Sequence, residues 1–217
     1  MNFADLKNRH QGETIWIIGT GPGLDRLVSS PADLIGPRIF LNRSAYVAPP
    51  SDGETYWLVM DDVFGGHGNG AHWDDHLAKV ISGKAETLAV FRDPLLNRDP
   101  PTPAPRGENI LTWAHNTVRP KSRLLDLSRD EVADIGALYV ECGSAAPAAH
   151  LAWFMGADMI RFVGLDGGHQ RAKCLQQYYD TPSRGGWGYG MMTSSGHHVA
   201  NELGVKTKGY GGPDENF

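Results

Sequence analysis

The residues best equipped for chemistry in this chain follow its apolar runs. Thr14-Ile-Trp-Ile-Ile leads into Gly19-Thr-Gly-Pro-Gly23, with Leu24 and Asp25 next. A strand that breaks into glycines ahead of a helix offers backbone amides beside the positive end of a helix dipole, a surface suited to phosphate. Gly19, Thr20, Gly21 and Gly23 are therefore expected to line an anion site. The loop has no Lys-Ser/Thr of a P-loop, and its third glycine comes one residue early for the dinucleotide fingerprint. Pro22 stiffens the turn and removes one amide. An ordinary strand-to-helix turn would use the same glycines for positive φ.

Other strand ends extend the set. Asn42 closes Arg38–Asn42, where a carboxamide could meet a nucleobase or ribose, or make an Asx turn. Asp61 and Asp62 close Tyr56–Met60 and could hold Mg²⁺ beside a polyphosphate, bind a sugar or cap the loop. His67, His72, Asp74, Asp75 and His76 have metal-ligand chemistry. Acids at a helix start have dipole and capping reasons of their own, however, so this segment is expected to be a glycine-rich substrate loop with no metal. Gly143 and Ser144 stand before Ala145, Ala146, Ala148 and Ala149, a second loop-to-helix unit that should face the first across a crevice. His150, inside that helix, reads as a packing residue. Asp166 follows the next strand, with His169 beyond it. Tyr178, Tyr179 and Tyr189 could give hydroxyls to phosphate oxygens. His197 or His198, expected at a helix start, could serve as general base, the plain alternative being a flank exposed to water.

Those residues need elements to hold them. Strands are expected at Ile15–Ile18, Arg38–Asn42, Tyr56–Met60, Thr87–Phe91, Asn109–Thr112, Ala137–Glu141, Met159–Val163 and Val205–Gly209. Most are continuous apolar runs, as suits strands covered on both faces. Helices fit at Leu24–Leu34, Trp73–Ser82, Ala145–Met155 and Gly196–Leu203. The alternation predicts one α/β Rossmann-like domain over residues 1–217, with a mainly parallel sheet of about six to eight strands and helices on both faces. In such sheets ligands sit outside the carboxyl ends of the strands. Asp93–Arg106, with five prolines, is expected to be an extended connection, and the glycine-rich tail after Gly209 is expected to fray.

Composition narrows the function classes. A net charge of −5 gives no general pull toward nucleic acid or anionic membranes. Cys142 and Cys174 form no CxxC pair, which argues against a disulfide framework or zinc site. No apolar run has membrane-spanning length and the first residues carry no signal pattern, so a cytoplasmic protein is expected. Glycine is in excess at 27 residues, which fits loops built around a ligand.

Ile17-Ile-Gly-Thr-Gly-Pro-Gly-Leu24 resembles the Gly-Asn-Gly-Pro-Ser-Leu loop of two groups with a Rossmann-like fold. One is the bacterial lipooligosaccharide sialyltransferases, and the other is the motility accessory factor group with archaeal 6-hydroxymethylpterin diphosphokinases. The likeness is one of order: glycine loop, strand ending in Asn42, strand ending in Asp61, Gly-Ser helix, then Gly164-Leu-Asp166. The resemblance implies a glycosyltransferase that uses a nucleotide sugar as co-substrate and a hydroxyl acceptor. Gly19, Thr20, Gly21 and Gly23 would hold phosphates or ribose, and Asn42 with Ser144 the nucleoside. Tyr178, Tyr179 or Tyr189 would steady the leaving phosphate, and His197, in Gly196-His197, would take the acceptor proton. No metal is then required. Under the alternative, a diphosphokinase, Asp61, Asp62 and Asp166 would bind Mg²⁺ under ATP; a third reading is a nucleotide-binding protein without turnover. Homo-oligomerisation is compatible with each. Thr20 replaces the loop asparagine, Gly23 the serine, and Asp61 stands where the sialyltransferases have asparagine, so the family's donor specificity does not carry over.

Overall fold

The computed structural model describes residues 1–30, 34–47, 53–60, 78–80, 87–93, 103–114, 121–141, 143–165, 170–178 and 188–209. Among them, seven strands form one sheet in the order β5-β4-β3-β2-β1-β6-β7. They are β1 (Thr14–Ile18), β2 (Arg38–Leu41), β3 (Thr55–Val59), β4 (Thr87–Asp93), β5 (Ile110–Ala114), β6 (Met159–Val163) and β7 (Lys206–Gly209). Every neighbouring pair is parallel. The α/β fold is the one the apolar runs predicted. The chain moves outward in one direction from β1 through β5, then returns to place β6 on the other side of β1. The carboxyl ends of β1, β2 and β6 thus lie together on one rim.

Side-chain alternation builds two cores. Ile15, Ile17, Ile39, Leu41, Ile160 and Phe162 face one side; Trp16, Ile18, Phe40, Trp57, Phe91 and Val163 face the other. Helix α1 (Gly23–Ser29) covers the second side. The first side is covered by α2 (Arg129–Ile135), α3 (Ala145–Phe154) and α4 (Gly188–Glu202). Only Trp153 in α3 escapes full burial, so this helix is apolar nearly all round.

Several expected boundaries move. Helix α1 ends at Ser29, not Leu34, because Ser30 precedes a proline and leaves the helical region, with φ −135°. The expected strand Ala137–Glu141 is not one: it makes a single bridge, Ala137 to Ala114. The Tyr139 amide, which a strand would give to a neighbour, donates instead to His150 Nδ1 at 2.8 Å. Of the expected helix Trp73–Ser82, residues 78–80 are helical and the others lie outside the described residues. Helix α4 begins at Gly188, eight residues before the predicted start. Its Gly196 is there for contact: a Cβ would come within 3.1 Å of Ala145 Cβ and 3.2 Å of the Phe162 ring. Close approach to α3 offsets the helix penalty of glycine, about 1 kcal/mol. The end of the proline-rich connection is tied back to β4, since Ala104 N donates to Asp93 Oδ1 at 3.1 Å and Arg106 pairs with the same carboxylate.

At the amino end of the sheet lies a polar cluster that the motifs did not signal. Arg9 grips Glu54 with Nε and Nη2 at 2.7 and 2.6 Å, and the buried Tyr56 hydroxyl donates to the same carboxylate at 2.5 Å. His10 sits between Tyr56 and Glu13, at 2.8 and 3.1 Å. The Arg9 hydrogen bond, against partial burial and with help from Tyr56, lowers the Glu54 carboxyl to about 2. Its contribution is therefore complete above about pH 4.5 and is lost as pH falls toward 2. The pair is partly solvated, so we expect Glu54→Gln to cost only about 1 kcal/mol at neutral pH. Urea unfolding at pH 7 and at pH 2 should show this difference shrinking to nothing at the acid end.

Candidate functional site

The expected site residues divide into those on the carboxyl rim, those elsewhere and those outside the described residues. On the rim, the glycine loop leaves β1 against the exit of β6. Gly19 N donates to Val163 O at 2.8 Å, Gly21 N to Gly164 O at 2.8 Å, and Thr20 O accepts from Ala172 N at 2.9 Å. Two of the amides expected for phosphate are therefore already spent within the protein. The glycines have a packing reason as well. A Cβ on Gly19 would lie 2.5 Å from Gly164 O, and Gly164 itself needs its positive φ of +63°. The two chain crossings are zipped backbone to backbone, which closes the space between β1 and β6.

A second clasp secures the α1 side. Asp25, in the first turn of α1, accepts amide protons from Lys173 at 2.8 Å and Cys174 at 2.9 Å. It thereby caps the 3-10 helix Lys173–Tyr178. Partial burial opposes ionisation, but these two amides hold the Asp25 carboxyl below its ordinary value. Burial, together with the neighbouring carboxylate, pushes the Cys174 thiol up to about 12, so it is not a nucleophile at neutral pH. Tyr178, at the end of this segment, meets Tyr46 edge-on with ring centroids 5.2 Å apart. The sequence gives no hint of Asp25's role, because its partners lie 148 and 149 residues away.

The other side of the rim is arranged differently. Asn42 follows β2 with φ +52°, a left-handed backbone that asparagine tolerates better than most residues. Trp57 Nε1 donates to its carbonyl at 2.8 Å, and the buried Ser44 hydroxyl lies 2.8 Å from both Ile18 O and Leu41 O. So held, the Asn42 carboxamide reaches Ser144, with Nδ2 donating to Oγ at 3.3 Å. Ser144 stands at the head of α3 but makes no side-chain cap there, and Gly143 before it has φ +71°. Helix α3 packs on β1 and β2. Its head amides, the Asn42 turn and the exit of β1 thus share the rim. Pro147 in the first turn has no amide to add. Arg43, next to Asn42, is buried at 4 % exposure.

His197 follows Gly196, which packs against Ala145 in the first turn of α3. It lies in the interior of α4, not at its start. Its ring packs on Phe162 at 4.4 Å and its Nδ1 lies 3.2 Å from Thr207 Oγ1. Thr207 pairs with Ile160, the second residue of β6, so this contact sits toward the amino half of the sheet edge. Burial lowers the pKa of His197. His198 is exposed. Tyr189 lies in the first turn of α4. The sequence places its histidines at a helix start because Gly188, Gly190 and Gly196 read as loop; helix packing overrides that preference.

Asp61, Asp62, Asp166, Tyr179 and the His67–His76 segment lie outside the described residues. Among the described residues no cluster of three or more His, Cys, Asp or Glu could hold a metal ion, and no helix is long and apolar enough to cross a membrane. No protein-family model matches the chain, and no curated protein matches its sequence.

Proposed function

We propose that this chain binds a nucleotide-type ligand at the carboxyl rim of β1 and β2, and that it transfers a sugar from a nucleotide-activated donor to a hydroxyl acceptor. The observation that carries the reading is the Asn42–Ser144 hydrogen bond at 3.3 Å. It joins the end of a central strand to the head of a helix without a side-chain cap, in the place where open parallel sheets take ligands. The spent amides of Gly19 and Gly21 shift the expected anion contact toward the head of α3. There the positive end of the helix favours phosphate. The sugar-transfer step rests on the loop and strand-end resemblance to the sialyltransferases, with His197 or His198 as acceptor base and no metal.

Thermal unfolding against a panel of nucleotides and nucleotide sugars, with and without magnesium, tests the binding. A ligand that binds the native state at 100 times its Kd adds about 2.7 kcal/mol of apparent stability. The absence of any shift across the panel would reject the reading. For the base, a His197→Ala, His198→Ala double variant is expected to lose about 10²-fold or more in donor turnover with binding retained. Full turnover in that variant removes the histidines from the mechanism. The engagement of His197 by Thr207 and Phe162 favours a second reading, nucleotide binding without turnover. Tight binding in calorimetry with no product would select it.

A further inference from the structure

His10 is caught between oxygens on both edges of its ring. Nδ1 lies 3.1 Å from the Glu13 carboxylate, while Nε2 lies 2.8 Å from the Tyr56 hydroxyl and 3.5 Å from Glu54 Oε2. A carboxylate only accepts, so Glu13 asks for a proton on Nδ1. The Tyr56 hydroxyl has one proton, and its 2.5 Å contact with Glu54 Oε2 takes it. Burial holds that proton on the phenol, and Arg9 keeps Glu54 ionised. Toward His10 the hydroxyl therefore offers a lone pair, which asks for a proton on Nε2 as well. Either neutral tautomer would set a nitrogen lone pair against an oxygen lone pair, in a residue only 6 % exposed. Turning the ring over would put carbon atoms against both partners, so its orientation is fixed by them.

We infer that His10 carries both ring protons in the folded chain, and that the second proton locks Asn8–Glu13 between β3 and the end of α3 as a proton-operated clasp. Among the described residues, the charged and titratable groups around the ring are Glu13, Glu54, Tyr56 and, through Glu54, Arg9. With the imidazolium in place two cations meet two carboxylates; without it one negative charge is unmatched. The clasp holds a segment that has something to release. The amides of Asn8, His10 and Gly12 donate to the carbonyls of Phe154, Met155 and Gly156 at 3.0, 2.7 and 2.9 Å, which closes the C-terminal end of α3. As the pH rises the ring gives its proton to solvent past Glu13 and Glu54, both half-exposed, and one of its two contacts turns repulsive. Acid closes the clasp and base opens it. The inference concerns the opposite end of the sheet from the rim and does not rest on the nucleotide reading.

Nitrogen-15 NMR of the histidine-labelled full chain reads the ring directly. At pH 7 both ring nitrogens of His10 are expected to resonate as those of an imidazolium; one protonated and one bare nitrogen would overturn the inference. Amide exchange, corrected for the intrinsic effect of pH, reads the clasp. Protection of the Asn8, His10 and Gly12 amides should fall about tenfold between pH 7 and pH 10, which is the loss of one charge-assisted hydrogen bond. In His10→Gln this pH dependence should vanish. Glu13→Gln, at a half-exposed position that leaves the fold intact, should move the fall to lower pH, because one of the carboxylates holding the proton is gone. Protection that does not change with pH in the native chain, or an identical profile in Glu13→Gln, also overturns the inference.

Discussion

Gly19→Ala is expected to lower stability by about 3 kcal/mol, although it adds one methyl group and requires no change of φ. The new Cβ would stand 2.5 Å from Gly164 O and 2.6 Å from Leu165 Cδ2. The leucine methyl can swing away, but the carbonyl cannot. It accepts from Gly21 N, and Gly19 N is itself bound to Val163 O. Making room means parting the exits of β1 and β6 and giving up at least one of these bonds in a closely packed region. Gly209→Ala is the control, since its Cβ would meet nothing within 4 Å; it should stay within about 0.5 kcal/mol of the native protein. Denaturant unfolding of the two variants decides the point. A Gly19→Ala protein as stable as the control would mean that the loop is free, and its glycines would again be best explained by a ligand.

The other large effect is acid lability through His150. This residue is fully buried, accepts a proton from the Tyr139 amide at Nδ1, and stacks on Trp153 at 5.3 Å, with Arg129 on Trp153 at 5.0 Å. Its Nε2 carries the ring proton and has no acceptor among the described residues. Burial lowers its pKa from 6.5 to about 3. The unfolded chain binds a proton at His150 throughout that interval while the folded chain does not. Stability from this group is thus complete above about pH 6.5 and declines as the medium is acidified. At about 1.4 kcal/mol per pH unit, roughly 3 kcal/mol should be lost between pH 7 and pH 4.5. Glu54 contributes little in that window, since its own loss begins only below about pH 4.5. His150→Asn retains an acceptor for the Tyr139 amide and cannot be protonated, so its slope should be clearly shallower over the same range, the remainder coming from groups such as His197, whose pKa burial also lowers. Parallel slopes for the two proteins would show that His150 is not the cause.

The two predictions also separate what was legible in the residues from what was not. Apolar runs of four or five residues, broken by glycine and polar punctuation, specify buried parallel strands. Ile15–Ile18 and Met159–Val163 form as predicted, and the expected Arg38–Asn42 forms as Arg38–Leu41, because their side chains can be covered on both faces only in such a sheet. The meeting of Asn42 with Ser144 on one rim follows from the same topology. His150 as a packing residue also follows from the sequence, since a lone histidine among alanines has little but apolar neighbours.

Local pattern alone could not assign the glycines or the final helix. Gly19 and Gly196 look like loop residues, but one serves the crossing of two backbones and the other the approach of two helices. Asp25 looks like a helix-start acid and is a clasp for Lys173 and Cys174. The His10–Glu54–Tyr56 cluster assembles from segments more than 40 residues apart. Sequence periodicity records which face of an element is buried, and that determined the strands, their order of type and the rim. Which amide, carboxylate or histidine meets which partner depends on distances across the fold, and only the tertiary structure decides those. The reason is physical: burial is a property of each residue's own side chain, whereas a hydrogen bond exists only when two positions converge to about 3 Å.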